Sequence, residues 1–204
     1  MLKESLVGLG TPLPDDMSET LSRFLDLLMS WNARINLVSR KLLREELQEL
    51  ALTSLAPLTL NLGEVVDMMD VGSGGGFPAL PLLLARPDWR GVLVEATGKK
   101  CLFLREAVET LAPGRGEVVN ERIENVDFGG RRFRVVTVRG VRVEPKLAAR
   151  IGELLTPDGC LIYYAGADED AQAEAANKLR SGGFEQVRPV PVDSVRTHLL
   201  IATK

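Results

Sequence analysis

Val65-Val66-Asp67-Met68-Met69-Asp70-Val71-Gly72-Ser73-Gly74-Gly75-Gly76-Phe77 is the stretch whose reading decides the fold of this chain. Its first half is an apolar run rich in Val and Met. That is the pattern of a strand buried on both faces, although periodicity alone does not separate such a run from buried helix. The ending does. Asp70 is followed by glycines at 72, 74, 75 and 76, and then by an apolar run from Phe77 to Ala85. So many glycines suit neither a strand interior nor a helix interior, so they form the turn between the two. A turn without Cβ atoms lets a ligand lie directly on the backbone, with the free N–H groups of the next helix pointing at it. The expectation is a site for a nucleotide-type cofactor. A tight strand-to-helix turn with no ligand would use the same residues.

The spacing Asp70-x-Gly72-x-Gly74-x-Gly76 resembles the first motif of S-adenosylmethionine-dependent methyltransferases. In that class the acidic residue lies beneath the methionine end of the cofactor. The dinucleotide fingerprint G-x-G-x-x-G fails when started at Gly72, because Phe77 takes the third glycine position. Started at Gly74 it is met only in its looser form, with Ala79 third.

A chain of 204 residues, 45% of them hydrophobic, suffices for one sizeable core and a small appendage. No apolar run approaches a membrane span, and Met1-Leu2-Lys3-Glu4 does not open a signal-peptide core. Cys101 and Cys160 are far apart in apolar surroundings and read as reduced residues, neither a disulfide nor a metal pair. The single histidine, His198, makes no metal site alone. These features point to a cytoplasmic protein without a metal.

Outward from the glycines the chain falls into two parts. Asp15, Asp16 and Ser18 start a helix on which Leu21, Phe24, Leu25, Leu28 and Trp31 recur at helical spacing to about Ala33. Ser39 can cap a second helix carrying Leu43, Leu47, Leu50 and Ala51. Residues 1–60 are therefore an N-terminal helical extension. From 61 to 204 strands alternate with helices. Strands are expected at Gly91–Glu95, Glu117–Val119, Phe133–Val138 and Leu161–Tyr164, with helices at Lys99–Leu111, Lys146–Leu155 and Asp168–Arg180. Phe184–Val190 and His198–Ala202 are close enough to pair as an antiparallel hairpin. The alternation means an α/β fold with a mostly parallel, doubly wound sheet and its ligand at the C-terminal strand ends. A closing hairpin is typical of class I methyltransferases and foreign to a plain dinucleotide domain.

Glu95 ends the second strand, where a carboxylate can accept hydrogen bonds from both ribose hydroxyls of a nucleoside. The net charge of −3 does not advertise a nucleic-acid binder. The stretch 131–150 does better, with Arg131, Arg132, Arg134, Arg139, Arg142, Lys146 and Arg150 against Glu144 alone. It reads either as solvated surface or as a local phosphate-contacting patch.

Four segments make the likeness more specific: Trp31-Asn32-Ala33-Arg34-Ile35-Asn36-Leu37, Asp70 to Pro78, Lys99-Lys100-x-x-Phe103-Leu104, and Arg122-Ile123-Glu124. In this order and with these gaps the chain resembles, over about residues 15 to 204, the bacterial 16S ribosomal RNA guanine-N7 methyltransferase family (the glucose-inhibited division protein B family). The resemblance implies a class I fold, S-adenosylmethionine as cofactor, and small-subunit ribosomal RNA or the ribosomal particle as partner. It implies cofactor contacts from Gly72, Phe77, Glu95, Ile123, Glu124 and Arg139, beside Asp70, Gly74 and Gly76 of the motif. Ile123 and Glu124 would hold the adenine, and Arg139 would stand beside the methyl-transfer position. Lys99, Lys100, Arg142 and Lys146 are the candidate RNA contacts.

The chain also departs from the family. Leu50, Thr53 and Ser54 stand in the places of a usual His-x-x-Asp-Ser element, and Ala79 replaces the Gly after Gly-Phe-Pro. Arg139-Gly140 stands for Arg-Ala, and Ala165-Gly166 for Lys-Gly. The cofactor half of the pattern is kept and the substrate half is altered. Two alternatives follow: a methyltransferase of this fold with another substrate, and a non-catalytic binding protein on the fold. No Ser/His/Asp arrangement, carboxylate pair or metal cluster is evident, and none is needed, because guanine N7 carries a lone pair and no proton.

Overall fold

Alternate residues of the central strands point into two different cores, and this sorts the rest of the chain. The computed structural model describes residues 12–62, 67–195 and 197–204. Val65 and Val66 of the expected first strand lie outside the described residues, as does Met1-Leu2-Lys3-Glu4. Seven strands, β1 (Asp67–Val71), β2 (Arg90–Val94), β3 (Gly116–Val119), β4 (Phe133–Arg139), β5 (Leu155–Tyr164), β6 (Gln186–Val192) and β7 (Thr197–Thr203), form one sheet in the order β3-β2-β1-β4-β5-β7-β6. The pairs from β3 to β5 are parallel, while β7 runs antiparallel to both β5 and β6. The doubly wound sheet and its closing hairpin are as the sequence leads one to expect.

Met68, Leu93, Val135 and Ile162 face one core and Met69, Val92, Val136 and Leu161 the other, the two-residue period of a pleated strand. The first core is covered by α1 (Met17–Asn32), α2 (Arg44–Ser54), α3 (Ala79–Ala85) and α4 (Gly98–Leu111). The second is covered by α5 (Pro145–Leu154) and α6 (Glu169–Ser181). Helices α1 and α2 thus share their apolar packing with α3 and α4. The stripe Leu21, Phe24, Leu25 and Leu28 of α1 is wholly buried. Burying each such side chain is worth about 1.5–3 kcal/mol, so α1 is held by packing. Phe24 meets Phe77 edge-on at 5.1 Å, which seats α1 directly against the glycine turn.

Ser39 does not cap α2, which begins only at Arg44. The Glu46 carboxylate instead accepts from the Leu43 N–H at 2.7 Å, closing the first turn from within. Strand β5 starts at Leu155, earlier than the apolar run at Leu161 suggests. Leu155 pairs with Phe133 and Cys160 with Val135, and the register shifts between them. Both cysteines are free, Cys101 buried and Cys160 partly so. No described helix is long and apolar enough to cross a membrane.

Candidate functional site

The strand order reverses direction between β1 and β4, and the expected site residues gather at the C-terminal ends of the strands beside that point. Such a crevice is where open α/β sheets bind ligands. After Val71 the chain turns across the end of β2, with the Gly72 and Ser73 N–H groups both donating to the Val94 carbonyl at 2.8 and 3.1 Å. Gly72, Gly74 and Gly76 have φ of 76°, 50° and 86°, a backbone that other residues rarely adopt. A Cβ on Gly76 would strike Leu80, and one on Gly72 would overlap the Val141 side chain. Gly74 is different: its nearest neighbour would be the Gly72 carbonyl at 3.6 Å, so conformation rather than crowding requires glycine there.

The amides of the turn serve the protein differently from the expectation. Helix α3 is short, wholly buried and preceded by Pro78, which has no N–H, so it presents no row of free donors. The Gly74 N–H donates to the Glu95 carboxylate at 3.0 Å, and the Thr97 N–H donates to its other oxygen at 2.8 Å. Glu95, just past the end of β2, is only 7% exposed and is aimed by these two bonds at the glycine turn. Asn120, after β3, fastens the same loop by donating to the Glu95 and Ala96 carbonyls at 3.1 Å each. Glu95 and the glycines are therefore one unit.

Asp70 is 1% exposed, opposite Thr137 in the β1–β4 register. The Thr137 hydroxyl donates to Asp70 Oδ1 at 2.7 Å, while Oδ2 is buried with no partner. Burial pushes the carboxyl up from 3.8 to about 7, opposed by the hydrogen bond from Thr137, by the nearby Ser73 hydroxyl, which itself donates to the Asp70 backbone carbonyl at 3.2 Å, and by the charge of Arg139. A buried carboxylate oxygen without a donor is costly.

Arg139 ends β4 on the same sheet face. Its guanidinium donates to the Leu50 carbonyl (3.1 Å), the Ser54 hydroxyl (2.9 Å) and the Thr53 hydroxyl (2.9 Å), all on α2. It also stacks 5.0 Å over the Tyr164 ring, whose hydroxyl donates to the Ser54 carbonyl at 2.7 Å. Every hydrogen-bond partner is neutral, and burial pushes the Arg139 pKa down. The altered positions Leu50 and Thr53, together with Ser54, are thus the ones that hold Arg139.

Ile123 is buried in the short turn Ile123–Asn125 after β3, with Glu124 exposed beside it. Among the candidate RNA contacts, Lys99 and Lys146 are exposed and Lys100 is partly buried. Arg142 pairs at 3.1 Å with both Glu144 and Glu174, and Lys178 bonds the same two carboxylates. Three more cations of the basic stretch are paired with acids, while Arg132 and Lys146 make no ion pair among the described residues. Arg131 pairs with Asp67 and Glu117, Arg134 with Asp158, and Arg150 with Glu153. Thr137, Tyr164 and Asn120 were not singled out in the sequence, where no motif marks them. Among the described residues no group of His, Cys, Asp and Glu could hold a metal ion.

This arrangement has known relatives. The family described as rRNA small subunit methyltransferase G matches residues 17–200. Ribosomal RNA small subunit methyltransferase G of Chloroflexus aggregans is 35% identical, covering 100% of this chain and 89% of its own. The protein of the same name from Laribacter hongkongensis is 37% identical over 92% of this chain and 93% of its own. Among solved structures, the glycopeptide N-methyltransferase MtfA complexed with S-adenosyl-L-homocysteine aligns with a TM-score of 0.63 at 15% identity, over 74% of this chain and 89% of that one. A precorrin-6y C5,15-methyltransferase from Geobacter metallireducens aligns with a TM-score of 0.57 at 16% identity, over 83% and 91%. These likenesses establish the class I methyltransferase fold. With the family match running through α1, the glycine turn and the closing hairpin, the chain belongs to the rRNA small subunit methyltransferase G family.

Proposed function

We propose that this protein transfers a methyl group from S-adenosylmethionine to N7 of a guanine in 16S ribosomal RNA, in the cytoplasm, on free RNA or on the ribosomal particle. Residues 61–204 serve as the methyltransferase domain and residues 1–60 as its extension. One observation carries the reading: the unpartnered Oδ2 of Asp70, the Glu95 carboxylate and a Cβ-free turn meet at the strand switch point. The residues fit S-adenosylmethionine. The open Cβ position of Gly74 would leave room for its methionine end, Gly72 and Gly76 would shape the turn, and the Glu95 carboxylate would accept from the ribose hydroxyls. Ile123 and Glu124 are offered to the adenine and Phe77 walls the turn.

When bound, S-adenosylmethionine supplies an electrophilic methyl on its sulfonium sulfur. Guanine N7 has a lone pair and no proton, so no side chain has to remove one. The work left to the chain is alignment and exclusion of water, which can lower a barrier by about 7–11 kcal/mol. Arg139 would align base and cofactor in this reading, which the restraint of its guanidinium by Thr53, Ser54, Leu50 and Tyr164 supports. The test is transfer of label from S-adenosylmethionine to small-subunit ribosomal RNA or particles from a strain lacking this protein. Label in the RNA supports the reading. Label confined to another acceptor, or none at all, overturns it.

A further inference from the structure

The glycine turn is roofed on one side by residues 33–43, the connection between α1 and α2. Asn32 at the end of α1 accepts from the Leu37 and Val38 N–H groups at 2.8 and 3.1 Å, which turns the chain back on itself. Val38 then rests on the turn: a Cβ on Gly75 would stand 3.0 Å from its Cγ1. Leu37 is buried, and Ile35, Val38 and Leu42 are partly buried, so the connection is anchored from below. Arg34, Arg40 and Lys41 remain exposed on top, and no acidic residue occurs from 33 to 43.

Helix α4 continues this face. The Trp31 ring meets the edge of Phe103 at 6.1 Å, and Lys99 and Lys100 precede Phe103 by about one helical turn. No acidic residue occurs from 96 to 105. Among the described residues, Arg34, Arg40, Lys41, Lys99 and Lys100 make no ion pair, whereas Arg131, Arg134, Arg142 and Arg150 each do. Of the exposed large apolar side chains among the described residues, Leu43 ends the connection and Leu102 lies on α4, while Met29 lies on α1 beside the Arg44 guanidinium. Cations without partners beside exposed apolar groups describe a surface that waits for a polyanion with apolar faces.

We propose that this face, residues 33–43 with the first two turns of α4, is where the RNA docks, resting on the reading above that ribosomal RNA is the substrate. Arg34, Arg40, Lys41, Lys99 and Lys100 meet phosphates, and Leu43 and Leu102 meet unstacked bases. Phosphate contacts form more readily here than at Arg142, which would first have to leave Glu144 and Glu174. Because Val38 rests on Gly75, the docked RNA lies directly over the cofactor turn.

The test is RNA binding as a function of salt, using deproteinised small-subunit ribosomal RNA and the full-length protein. Arg40→Ala/Lys41→Ala and Lys99→Ala/Lys100→Ala are each compared with Arg90→Ala/Arg188→Ala, which removes equal charge from exposed positions on β2 and β6. Each of the first two should weaken binding at least tenfold and make the plot of log affinity against log salt shallower by about 1.4 to 1.8, the value for two lost phosphate contacts. S-adenosylmethionine affinity, measured by calorimetry, should not change in either and reports an intact fold. Wild-type binding that ignores salt overturns the proposal, as does a comparison variant that matches the other two. Methyl transfer by the wild-type protein, followed on the same RNA, separates the two readings. Transfer with unaltered binding in the loop and α4 variants removes the docking face alone. Steep RNA binding lost in those variants, without transfer, keeps the docking face and removes the proposed reaction.

Discussion

Arg139, the last residue of β4, donates a 2.9 Å hydrogen bond from its guanidinium to the Thr53 hydroxyl of α2, so the N-terminal helices hold a residue of the strand-end site. Its bonds to Leu50 and Ser54 and its stacking on Tyr164 complete the attachment. Net contributions of about 1.5–3 kcal/mol for a hydrogen bond to a charged group lead to a loss of about 2–4 kcal/mol in Arg139→Ala, with the methyl-transfer rate falling as well. Thr53→Asp should act in the opposite direction, giving the buried guanidinium a carboxylate and raising the melting temperature. Denaturant unfolding of both variants checks this. Equal stability in all three proteins would contradict it.

The glycine turn separates conformational from steric demand. At Gly74 there is room for a Cβ but φ is 50°, so Gly74→Val strains the backbone and disturbs the amide that holds Glu95. We expect S-adenosylmethionine affinity to fall at least tenfold, about 1.4 kcal/mol or more, while the protein remains folded. At Gly76 a Cβ would also strike Leu80, so Gly76→Ala should lower stability itself. Calorimetric titration with thermal melting distinguishes the two, and wild-type affinity in Gly74→Val would contradict the assignment of the turn.

The ionisation of Asp70 gives a signed prediction. Its folded value of about 7 lies above the ordinary 3.8, so the folded protein holds this proton more tightly than the unfolded chain. The resulting stability is fully present below about 3.8 and is lost as the pH rises through about 7. Asp70→Asn has no such loss. Its melting temperature should exceed that of the wild type at pH 8, and the difference should shrink as the pH falls to 5. A difference independent of pH would contradict the buried, half-satisfied carboxyl. Asn at this position should also weaken cofactor binding at pH 8.

Much of this architecture was legible in the sequence, because the deciding signals are local. The glycines after Asp70, the strand and helix alternation, and the paired runs at the C-terminus each specify their own element. The start of α2 was misplaced because Ser39 has the chemistry of a cap while Glu46 supplies the bond from inside the helix. Strand β5 was shortened because Thr156-Pro157-Asp158-Gly159 reads as a turn, although the chain pairs with β4 on both sides of it. The pairing of Arg131, Arg134 and Arg142 was not legible because the acids they meet, Asp67, Glu117, Asp158 and Glu174, lie outside the run. Arg34, Arg40 and Lys41 carry no local signal either: they are scattered among apolar residues in a connection that Asn32 folds back.

The chemistry predicts a pH profile of its own. With saturating cofactor, so that Asp70 does not influence occupancy, the single-turnover rate should be nearly flat from about pH 6 to 8.5, the range in which a histidine-type base would switch on. Arg139→Ala should lower the whole profile without adding an ionisation to it. A rise of about tenfold per pH unit through neutrality is the behaviour of a titrating base and would contradict attack by an unprotonated ring nitrogen.

The most direct measurement is the identity of the methylated atom. Small-subunit ribosomal RNA from a strain lacking this protein is incubated with the purified chain and labelled S-adenosylmethionine, digested to nucleosides and resolved by mass spectrometry. The account predicts that the label appears as N7-methylguanosine from the 16S RNA. Label on an exocyclic amine, on a ribose hydroxyl or on no nucleoside would contradict it.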